Sequence, residues 1–113
     1  MDESILDSVK NALGIVQEYR YFDSQLLMHI NSVFVILQQL GVGPDEGFSI
    51  SDETSVWSEF IDSSTSLNLV QSYMYLRVRM LFDPPTNSFL LDSMKQQVQE
   101  YEWRLNVAVD PKQ

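Results

Sequence analysis

The feature that most restricts the fold is the stretch from Leu67 to Phe82, apolar over well more than half of a helical circumference and halted by Asp83-Pro84-Pro85. Leu67, Val70, Met74, Val78 and Leu81 recur at three- and four-residue steps, and Leu69, Tyr73, Leu76 and Met80 widen the same arc. Proline has no amide hydrogen and its ring clashes with the preceding turn, so the helix ends at Asp83. A helix so broadly apolar has to be central, with other helices packed on more than one side.

Those other helices are legible by the same periodicity. One runs from Ser24 to Leu40, with Leu26, Ile30, Val33, Phe34, Leu37 and Leu40 in one arc, Asp23 as the expected N-cap and Gly41 as the stop. Another begins near Asn87 or Ser88 and continues to about Asn106 along the seam Leu91, Met94, Val98, Tyr101 and Leu105. A shorter one, Ser4 to Leu13, carries Ile5, Leu6, Val9 and Leu13 and closes at Gly14. Gly41 to Thr54 holds three of the four glycines and reads as a long loop, with Phe48 and Ile50 in a short extended piece. A helical turn through Val56, Trp57 and Phe60 follows, and Asp62 to Ser66 caps the central helix. The expected fold is all-α: a compact helical bundle of three long helices plus a short N-terminal helix and a helical turn in a long loop. At 113 residues the chain fits one domain, residues 1–106, with residues 107–113 as a protruding tail. A connection as long as Gly41 to Thr54 is expected to be functional or mobile.

Composition narrows the chemistry. Without cysteine there is no disulfide, thiolate zinc site or cysteine nucleophile, and a reducing compartment fits. The net charge of −9 is uneven: residues 1–66 carry eleven acids against Lys10 and Arg20, whereas residues 67–113 carry five of each sign. Such a chain is poorly equipped to grip phosphates, so specific nucleic-acid binding is not expected. The acidic start Met1-Asp2-Glu3-Ser4 lacks a signal peptide's basic region, and His29, Asn31, Ser32, Gln38 and Gln39 interrupt the most apolar segment. A soluble protein, initially intracellular and without a membrane role, is the expectation.

The catalytic inventory is thin. His29 projects to the edge of the apolar arc beside Gln25 and Ser32, as a boundary residue rather than a ligand. Gly41-Val42-Gly43 follows a helix, whereas nucleotide-binding loops precede one. Asp45-Glu46 and Asp52-Glu53 lack the alternating ligand spacing of a calcium loop. No catalytic residue, cofactor or metal site is expected.

Arg77 projects into the arc of the central helix, where a guanidinium needs a carboxylate or carbonyl partner, either in its own chain or on another subunit. Met28 and Val35 project opposite Ile30 and Leu37, while Phe89 and Trp103 oppose the Leu91-Val98-Leu105 seam. Outward apolar groups either meet other parts of the same chain or mark an interface. Trp103, among Gln96, Gln99 and Glu100, is the clearest anchor, since aromatics are enriched among residues that carry binding energy. Met28, Val35, Arg77, Phe89 and Trp103 are therefore candidate subunit or partner contacts.

Four stretches carry a resemblance: Ser8 to Gly14; His29-Ile30-Asn31-Ser32 leading to Gln39 to Pro44; Tyr73 to Pro85; and Glu102-Trp103-Arg104-Leu105-Asn106-Val107. Together they resemble small prophage proteins of Gram-positive bacteria, similar to the head-tail connector, or head-completion adaptor, family of tailed phages. The resemblance implies a structural virion protein at the head-tail junction, assembled in the host bacterial cytoplasm as a homo-oligomeric ring of about a dozen copies. It further implies contacts with the portal protein and with the next head-completion or tail component, around a conduit through which DNA passes without specific binding. A weakly repelling wall suits such a conduit, so Asp45, Glu46, Asp52 and Glu53 are candidate channel-facing acids. The competing reading is an acidic, non-enzymatic helical binding or inhibitor module that mimics DNA.

Overall fold

The structure, a computed structural model, describes residues 3–61 and 64–109. Four helices, α1 (Ile5–Ala12), α2 (Asp23–Gln39), α3 (Ser64–Phe82) and α4 (Ser88–Val109), and one 3-10 turn (Trp57–Glu59) make an all-α bundle. Among the described residues there is no strand, only an isolated antiparallel bridge between Ser4 and Val56.

α3 is central, as its apolar breadth requires. Val70, Tyr73, Met74 and Val78 are buried between α2 and α4, with α1 also packed on α3. α2 contributes Leu26, Ile30, Val33, Phe34 and Leu37, α1 contributes Ile5, Leu6 and Val9, and α4 contributes Met94, Val98 and Leu105. Leu81 departs from the expected arc and is half-exposed. Its neighbour Phe82 turns inward instead and meets Phe22 edge-on, with ring centroids 5.0 Å apart.

Helix ends follow local chemistry with instructive exceptions. Ser4 Oγ caps α1 by accepting the Asp7 amide at 3.2 Å. Asn87 Oδ1 does the same for α4 at the Leu90 amide, 3.1 Å. Gly41, at φ +87°, ends α2 in the left-handed conformation that side chains disfavour. Asp23, expected to cap α2, does not: it is the first helical residue, with Phe22 in the cap position and no side-chain cap. Its carboxylate is committed to Lys10, whose ammonium is fully buried and lies 2.8 Å from Asp23 Oδ1 and 2.9 Å from the Gln17 carbonyl. A buried ammonium without that partner would be strongly destabilising, so the tertiary pair wins over the cap. α3 starts at Ser64, a turn before Leu67, and α4 continues past Asn106 to Val109. Asp62 and Ser63 of the expected cap, and residues 110–113 of the expected tail, lie outside the described residues.

The long connection is fastened rather than loose. The Asn31 side chain occupies both backbone groups of Ile50, donating Nδ2 to its carbonyl at 2.9 Å and accepting its amide at 2.8 Å. One amide thus satisfies the extended piece that would otherwise need a partner strand. Phe34, Phe48 and Phe60 cluster with centroids 4.8 to 5.3 Å apart. The Phe60 ring lies so close over Gly43 that a Cβ there would overlap it. Gln38 Nε2 donates to the Asp45 carbonyl at 2.9 Å, and the Ile5 amide to the Ser55 carbonyl at 3.0 Å. Trp57, fully buried, donates its indole N–H to Ser8 Oγ at 3.0 Å.

Candidate assembly surfaces

Because Leu26, Ile30, Val33 and Leu37 of α2 turn inward, residues 28 and 35 leave the opposite side, where Met28 is 61% exposed and Val35 52%. On α4 the Met94-Val98-Leu105 seam sends Phe89 and Trp103 outward, 84% and 67% exposed, with Leu90 and Val107 half-exposed beside them. The four apolar candidates are thus all at the surface, on two different helices. Additional exposed aromatics escaped the helical patterns. Tyr19 and Tyr21 meet Phe22 edge-on at centroid distances of 5.8 and 5.0 Å, and Tyr21 is 78% exposed. Their signal was the aromatic density of Gln17 to Phe22, a segment without periodicity of its own.

Arg77 finds its partner within the chain. Its NH2 donates to Glu102 Oε2 of α4 at 2.8 Å, its Nε to the Tyr73 hydroxyl at 3.1 Å, and the Tyr73 hydroxyl donates to the same Glu102 oxygen at 2.6 Å. Of the two partner expectations for Arg77, the structure shows the intrachain one. Burial pulls the guanidinium pKa down, but the bonds to Tyr73 and Glu102 outweigh it and leave the value raised. Burial, reinforced by Glu102, pushes the Tyr73 hydroxyl up to about 12. The triad ties α4 to α3 one residue from Trp103.

The acids fall into two places. Asp45 and Glu46 sit in the turn held by Gln38 near the end of α2, where the Gly47 amide donates to the Pro44 carbonyl at 3.0 Å. Glu53 reaches Arg20 at 3.1 Å, and Arg20 also pairs with Asp23 at 3.1 Å. About 20 Å of helix axis separates the Asp23 end of α2 from Gln38, so the acids form two groups rather than one patch. Thr54 donates both its hydroxyl and its amide to Asp52, which lowers the Asp52 pKa and keeps the carboxylate charged. The bond and charge of Glu53 raise the pKa of Arg20. Among the described residues no ion pair offsets Asp45, Glu46 or Asp52.

His29 is half-buried at the edge of the apolar arc, its Nε2 shielded and without a hydrogen-bond partner. Among the described residues no three His, Cys, Asp or Glu side chains gather to hold a metal ion, and no helix is long and apolar enough to cross a membrane. The structure is a small helical bundle with a buried core and bulky apolar groups left outside it.

A family model described as phage connector protein matches residues 5–112, nearly the whole chain. The chain belongs to that family, and is accordingly a structural phage protein that meets other head and tail components. Neither the comparison with curated proteins nor that with solved structures gives a match.

Proposed function

We propose that the protein is a head-tail connector subunit that forms a ring beneath the portal and extends the DNA conduit, with no enzymatic role. The observation that carries this reading is the outward placement of Met28, Val35, Phe89 and Trp103 around an already sealed core. A lone domain gains nothing from such groups, whereas a ring subunit uses one apolar face inward and others against its neighbours. Asp45, Glu46, Asp52 and Glu53 then line or rim the channel. Fixed carboxylates there keep the phosphate backbone from adhering, because no counterions are released along its path.

An acidic DNA mimic draws on the same ordered loop, but family membership favours the connector. Electron microscopy of the concentrated protein, alone and with portal rings, tests the reading: closed rings or decorated portals are expected. A chain that stays monomeric and ignores portals would remove it. Replacing the four acids with lysine should slow DNA packaging or ejection in particles that assemble normally; unchanged kinetics would detach the acids from the channel.

A further inference from the structure

A depression of about 320 Å³ lies between the end of α1, α3 and α4, with Leu13, Tyr75, Leu76, Met94 and Tyr101 in its wall and Arg79 at its edge. At the small end of the range for binding pockets, about 300–1,000 Å³, it suits a single bulky side chain rather than a folded segment. Trp103 follows Met94 by nine residues on α4, so at about 100° per residue the indole and the groove leave the helix in opposite directions.

We propose that Trp103 of one copy seats in the Tyr75-Met94-Tyr101 groove of the next. Three observations select a second copy as occupant. Knob and hole lie on opposite sides of one helix, so the contact is heterologous: every copy offers both halves, and the chain of contacts either closes or continues. The groove supplies what a desolvated indole requires: a thioether and two aromatic walls, hydroxyl and amide acceptors on Ser72 and Gln97 for the N–H, and a guanidinium for the ring face. Arg79 is available for that role, since it donates only Nε to the Asp83 carbonyl at 3.1 Å and makes no ion pair among the described residues. Charge matches as well: Asp92, eleven residues before Trp103 and so on the same side of α4, is opposite in sign to Arg79 and makes no ion pair among the described residues, whereas Glu100 is already held by Arg104 at 2.6 Å.

The inference rests on the ring reading and gives it a contact. It is tested with the full chain, Trp103→Ala and Ser72→Trp, which fills the groove from an exposed helical position. Circular dichroism and melting verify that both variants fold. By sedimentation and electron microscopy, wild type should form rings, while each variant should need at least about tenfold more protein to assemble. A mixture of the two should give one-to-one dimers and no rings, because Trp103 of Ser72→Trp meets the open groove of Trp103→Ala. Rings from Trp103→Ala at the wild-type concentration would overturn the contact and leave the ring standing; the same result accompanied by lost portal decoration would reassign Trp103 to the portal. A wild-type chain that forms no ring, alone or on portals, would overturn the ring reading and the contact with it.

Discussion

The packing of the long connection and the 3-10 turn on α1 and α2, and the outer surface of α4, treat their large side chains in opposite ways. Around α1, the long connection and the 3-10 turn, even polar groups are turned inward and matched: Lys10 with Asp23, Trp57 with Ser8, Asn31 with Ile50. α4 packs chiefly on α3, commits one seam to the core and leaves Phe89, Leu90, Trp103 and Val107 outside. The two tryptophans make the contrast concrete, one fully buried and hydrogen-bonded, the other two-thirds exposed. On the proposed reading the matched interior carries stability and the outward face of α4 carries contacts between copies, and substitutions should separate the two.

The largest loss of stability is expected from Trp57→Ala, about 3–5 kcal/mol in denaturant unfolding, because it opens a cavity against Phe34 and removes the indole's bond to Ser8. Lys10→Ala should follow at about 2–3 kcal/mol, tempered because Asp23 retains Arg20. Asn31→Ala, which strips two bonds from Ile50, should cost about 1–3 kcal/mol and raise hydrogen exchange in the connection while sparing α4. Glu102→Gln is worth about 1 kcal/mol at neutral pH and carries a second signature. In the native chain Tyr73 keeps its proton up to about 12, against the ordinary phenol value of 10.0, so its contribution is intact below pH 10 and is lost as pH rises towards 12, where the unfolded chain has already ionised. Glu102→Gln removes one cause of that rise, and the Tyr73 phenolate should appear at lower pH by absorbance. Smallest of all, Trp103→Ala and Met28→Ala should shift unfolding by no more than about 0.5 kcal/mol. A large destabilisation by Trp103→Ala would erase the contrast between the two regions.

The bundle itself was legible because its information is local. The 3-4 spacing of Leu91, Met94, Val98 and Leu105, the glycine stop at Gly41 and the paired prolines after Asp83 are each read within a few residues. What escaped depends on partners far along the chain. Asp23 has the composition of a cap, and nothing beside it discloses that the buried ammonium of Lys10 claims it. Gly41 to Thr54 looks loose because Asn31 and Phe34, which fasten it, belong to a different element. Arg77 announced its need for an anion, but Glu102 became its partner only once α3 and α4 packed together. Outward placement of Met28, Val35, Phe89 and Trp103 was readable as helical phase; the groove opposite Trp103, made from three helices, was not.

The clamp of Asn31 on Ile50 has a mechanical corollary. With both main-chain groups of Ile50 tied to α2 and Gln38 gripping the turn at Asp45, the connection has little slack to take up. A load on the acidic turn would therefore pass to α2, and through its buried face to α3, instead of being taken up by the connection.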